Sequence, residues 1–149
     1  MAILKLIHFL AALIWVGGMF FAYVVLRPAA VDVLEPPLRL KLWDNVFRRF
    51  FIWVWGAVAV LLASGFYMIF VFGGFANLPV YVHAMLALGL AMVAIYVYVF
   101  FACYRQLSVF VSKQSWKEAG GMLGRIRKLI AVNLGLGLFT VCVAVLGAH

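Results

Sequence analysis

The amino-acid sequence predicts an all-α integral membrane protein, a four-helix up-down bundle, and three observations lead there. Of its 149 residues, 69% are hydrophobic and only 11% are charged, against roughly 45–50% and about 25% in soluble domains. A soluble fold of this length has no interior large enough to hide that much apolar surface. The apolar residues also fall into four runs, each close to the roughly 20 residues a spanning helix needs. The alternation of a β-barrel is absent from all four.

The runs are 3–26, 50–72, 80–102 and 129–148, and they make residues 1–149 a single transmembrane domain. The first resembles a signal peptide in having Lys5 before an apolar stretch, but it is too long. Arg27 and Pro28 are expected to stop it, so it reads as a retained span. The second follows an amphipathic stretch, 38–51, in which Leu42, Trp43, Val46, Phe47 and Phe50 recur at helical spacing against Arg39, Lys41 and Arg48. That pattern suits an interfacial helix leading into the span. Only Gly73 to Pro79 separate the second run from the third. Ahead of the fourth, Ser115 and Glu118 have the spacing of a capping box, and Gly120, Gly121 and Gly124 could bend the helix that follows.

Charge placement gives the orientation. Eleven of the twelve Lys and Arg residues lie in the two long connections, and the short one carries none. Basic loops stay in the cytoplasm, so both termini are expected on the periplasmic side of a bacterial inner membrane. The net charge of +8 is thereby a topology signal, and nucleic acid is not an expected partner. The expected partners are the lipid bilayer, a redox partner or quinone, and a second copy of the chain.

Ionisable side chains within a bilayer mark function by default. His8 and His83 both lie some 5–8 Å below the same boundary, counted along their helices. In an up-down bundle their helices are diagonal, about 11–14 Å apart. That separation suits two imidazoles reaching one central metal, as in a low-spin haem b. Trp15, seven residues from His8, would pack along the ring, and Lys5, Tyr81 or Asn77 could meet a propionate. The corresponding function is electron transfer or oxidation of a small substrate. A softer donor set is also present: Met68, Met85, Cys142 and His149 join the two histidines on the same side, a combination suited to Cu(I). A third reading is a cofactor-free accessory subunit docking through its aromatic-rich helices. Cys103 and Cys142 are expected at opposite ends, too far apart for a disulfide. All four acidic residues are in the basic loops, so neither a buried-carboxylate proton transporter nor a hydrolase has its residues.

Leu4-Lys5-Leu6-Ile7-His8, followed by Trp15-Val16-Gly17-Gly18-Met19-Phe20-Phe21, resembles the first helix of the copper-resistance-D (CopD-like) membrane family. It is also similar to that of the related HemJ-type protoporphyrinogen oxidases, and His83 continues the likeness in the third helix. The CopD resemblance implies copper uptake or tolerance, usually in longer chains with more helices. The HemJ resemblance implies bound haem b and an oxidase activity. That activity is expected to use a lysine two residues after the third-helix histidine, where this chain has Met85.

Overall fold

A computed structural model describes all residues, Met1–His149. It contains four long helices, each long and apolar enough to cross a membrane: α1 (Ala2–Val33), α2 (Pro36–Val71), α3 (Val80–Ser112) and α4 (Trp116–Gly147). There are no strands, and one short 3₁₀ turn, Phe75–Asn77, lies between α2 and α3.

The helices outrun the apolar segments. In place of two long polar loops, α1 and α2 are separated only by Leu34 and Glu35, and α3 and α4 only by Lys113–Ser115. The expected interfacial helix is the first part of α2. Its buried face, Leu40, Trp43, Phe47 and Phe51, continues without a break into the span. Pro36 and Pro37 suit this start, because the first helical positions have no intrahelical use for their N–H groups. At α4, Ser115 does occupy the N-cap position, but its side chain makes no capping hydrogen bond. The glycines at 120, 121 and 124 leave the helix unbroken.

The expected stop at Arg27–Pro28 is also corrected: α1 runs on to Val33. The reason is local. Phe21–Leu26 forms a π-helical segment in which the Arg27 N–H bonds the carbonyl of Ala22 rather than that of Tyr23. In this register the Tyr23 carbonyl would look to residue 28, a proline with no N–H. The Arg27 guanidinium satisfies it instead, with Nε donating to Tyr23 O at 3.2 Å. Its charged plane also sits 4.5 Å from the centre of the Tyr23 ring. A second π segment, Val99–Tyr104, interrupts α3 at a similar depth.

α1 packs along α2 and α3 along α4, and the two hairpins close on each other with α1 and α3 diagonal, as an up-down bundle requires. Close approach depends on two glycines. A Cβ at Gly18 would overlap the Phe50 ring, and one at Gly137 would lie 2.9 Å from Val16 Cγ2 and 3.1 Å from Met92 Cε. Small residues at such crossings are how membrane helices gain packing contact, since lipid offers no hydrophobic drive between them. The α2–α3 turn uses left-handed backbone at Gly73 (φ +95°) and Gly74 (φ +87°), where a side chain would be strained.

The core holds an aromatic cluster across α2 and α3. Phe47 stacks on Phe51 at 5.1 Å, and Tyr96 meets Phe51 at 5.4 Å and Trp55 at 5.0 Å, both edge-on. Trp15 brings α1 into the same cluster, 6.1 Å from Tyr96. Tyr96 Oη donates to the Phe51 carbonyl at 3.1 Å, so its polar end is satisfied without water.

Candidate metal-handling site

His8, near the start of α1, projects from the face that carries the buried Ala11 and Trp15, one and two turns further along. The ring is half-buried and lies against α2, with Cε1 over Gly65. Its Nδ1 is 2.6 Å from Ser64 Oγ. The direction of this bond follows from counting hydrogens. The Ser64 hydroxyl has one, and it is donated to the Val60 carbonyl at 2.6 Å. Nδ1 must therefore be the donor to Ser64 Oγ, which leaves the lone pair of the neutral imidazole on Nε2. A second partner that fixes tautomer and ring orientation in this way is the usual companion of a metal-binding histidine.

Other soft donors share this end of the bundle. Met68 lies one turn beyond Ser64 on α2, and Met85 two turns ahead of the buried Met92 on α3; both are half-buried. Deeper in the bundle, Met19 and Met92 are buried. Cys103 is completely buried on α3, on the far side of the aromatic cluster. Asn133 of α4 is buried too; its Nδ2 donates to the Met92 carbonyl at 3.2 Å, and its Oδ1 has no partner.

Not all of the sequence-predicted residues meet here. His83 is exposed on the first turn of α3, with Nδ1 3.3 Å from the Pro79 carbonyl, so the two histidines take separate partners. Trp15 belongs to the aromatic core. Lys5 is exposed, and Asn77 is turned back to the Gly73 carbonyl. Tyr81 packs on Gly147 of α4. Among the alternative copper donors, Cys142 and His149 are exposed, whereas His8, Met68 and Met85 are on partly enclosed faces. Cys103 and Cys142 are both free thiols, as their expected separation requires. No group of three or more His, Cys, Asp or Glu side chains converges.

Ser64, Asn133, Met19 and Met92 were missed by sequence reasoning. A lone hydroxyl or amide inside an apolar run is the signal that could have found the first two. The methionines blend into helix packing, where Met is a common filler.

The family model described as CopD, copper resistance protein D, matches residues 44–146, from within α2 almost to the end of α4. The matched part contains Ser64, Met68, His83 and Met85; α1, with His8 and Trp15, precedes it. No curated protein and no solved structure matches the chain. With more than two thirds of its length matched, the chain belongs to the copper-resistance-protein-D family of membrane proteins.

Proposed function

We propose that this protein takes up Cu(I) at the end of the bundle that carries its termini, with copper as cargo rather than as a resident cofactor. His8 offers Nε2 as the imidazole donor, and Met68 and Met85 offer thioethers, a donor set that selects the soft monovalent ion. Ser64 is a positioning residue that holds the imidazole in the required tautomer. The observation that carries the reading is the His8–Ser64–Val60 hydrogen-bond chain, which commits Nδ1 and frees Nε2. Membership of the copper-resistance family supports the choice of metal. The concentration of Lys and Arg at the opposite end supports placing this end in the periplasm.

The test is metal analysis and Cu(I) competition titration on the full chain in mild detergent, with an absorption spectrum of the same sample. Bound copper without a Soret band is expected. His8→Ala should weaken Cu(I) binding about tenfold or more, Met68→Leu and Met85→Leu should each weaken it, and Cys142→Ser should leave it unchanged. A Soret band with sharp reduced α and β bands, lost in His8→Ala and His83→Ala, would overturn the copper reading in favour of haem b. Neither metal, with an interacting protein that co-purifies, would favour an accessory subunit.

A further inference from the structure

A second site, chemically unlike the first, lies at the basic end. There α1, α2 and α4 part to leave a cleft of about 250 Å³. We propose that this cleft binds the phosphate-bearing headgroup of an anionic phospholipid. The inference does not rest on the copper reading.

The lining carries three positive charges and no negative one. Arg27, Arg39 and Arg127 enter from three different helices, and no Asp or Glu reaches the cleft. The first two arginines make their only hydrogen bonds to backbone carbonyls. Arg27 uses Nε on Tyr23 O, and Arg39 uses Nη2 on Leu34 O at 3.2 Å. The remaining guanidinium donors have no protein acceptor. Most telling is Arg39 Nε, which is buried with no hydrogen-bond partner. Leaving a buried donor of a charged group unmade is costly, and here an anion would satisfy it. A guanidinium fork matches two phosphate oxygens at once.

The apolar part of the lining selects among phosphates. Trp43 and Trp116 wall the cleft, and such amphipathic rings favour the boundary between headgroups and acyl chains. Gly120 and Gly124 form another wall, where an added Cβ would meet nothing within 4 Å. The cleft exists in part because these two positions lack side chains. A hydrated inorganic ion gains nothing from indole walls, whereas a lipid can place its phosphate on the arginines and its glycerol against the rings. Basic pockets between transmembrane helices at the cytoplasmic surface are suited to anionic headgroups.

The test uses the full chain in detergent, with native mass spectrometry and thermal stability as readouts, titrated with phosphatidylglycerol or phosphatidylcholine. One retained phosphatidylglycerol per chain is expected, with little phosphatidylcholine. Arg39→Gln should weaken retention about tenfold, Arg39→Lys should fall between, and the exposed control Arg49→Gln should match the wild type. Gly124→Leu should weaken retention without altering charge by filling the cleft. Should that variant not fold, the Arg39 series decides alone. Equal losses in Arg39→Gln and Arg49→Gln would overturn the proposal, because binding would then be diffuse attraction to a basic surface. Equal retention of both lipids would overturn it as well. Displacement of the lipid by millimolar inorganic phosphate would assign the site to the free ion instead.

Discussion

Towards the basic end of the bundle, Val54, Cys103, Leu107, Ala119 and Ile126 are 0% exposed. Towards the terminus end, α1 has no buried residue before Ala11, α3 none before Met92 and α4 none after Gly137. One half is tightly packed around the aromatic cluster, and in the other Ser64 and Ile69 of α2 are buried while His8, Met68 and Met85 are partly enclosed. The tightly packed core and the proposed Cu(I) site thus fall at different ends of the same four helices. Flexible, polarizable methionines suit the less tightly packed half because they can rearrange around the Cu(I) ion proposed to bind there, whereas rings fixed at both edges cannot.

This contrast can be broken most forcefully in the tightly packed half. Phe51→Ala would remove a ring that touches Phe47, Tyr96, Phe100 and Tyr104. A loss of about 3 kcal/mol is expected from the cavity and the forfeited contacts. The lipid-facing Leu13→Ala should change stability by less than about 0.5 kcal/mol. Unfolding titrations in detergent would measure both, and similar losses would show that the two halves do not differ. Next in size is Ser64→Ala. It leaves His8 Nδ1 without its acceptor and lets the tautomer change, so Cu(I) affinity should fall about tenfold with little change in the melting temperature. A matching fall in stability would reduce Ser64 to a packing residue. A smaller loss within the core belongs to Tyr96→Phe, which deletes one hydrogen bond to the Phe51 carbonyl but keeps the ring. About 1 kcal/mol of stability should be lost, with Cu(I) binding untouched.

Much of this architecture is legible in the sequence, because the physics behind it is one-dimensional. Apolar length reports spans, and clustered Lys and Arg report which loops share a side. The 3–4-residue spacing of Trp43, Phe47 and Phe51 reports a buried face. The candidate site is less legible because it depends on partners across helices. Histidines at matched depth suggested that His8 and His83 share one metal. Depth does not specify which way a side chain leaves its helix, and His83 is exposed on the first turn of α3. Ser64, which gives His8 its orientation, lies 56 positions away. The continuation of α1 through Pro28 was hidden for a similar reason: the acceptor freed by the proline is satisfied by a side chain, and backbone preference carries no record of that.

The two π segments also set the rotational phase of their helices. In α1 the buried positions Trp15 and Ala22 are seven apart, but the next, Ala30, comes after eight. In α3 the same change occurs, with seven residues from Met92 to Val99 and eight from Val99 to Leu107. Each widened turn absorbs one extra residue, so that both parts of the helix keep facing the core. If either segment, 21–26 or 99–104, wound as regular α-helix with its residue count unchanged, everything beyond it would turn by about 100°. In α3 that would carry Leu107 out of the core, and in α1 it would swing Arg27 away from the cleft. A one-residue deletion in either segment would close its wide turn into an α-turn and leave the far part of the helix facing the core.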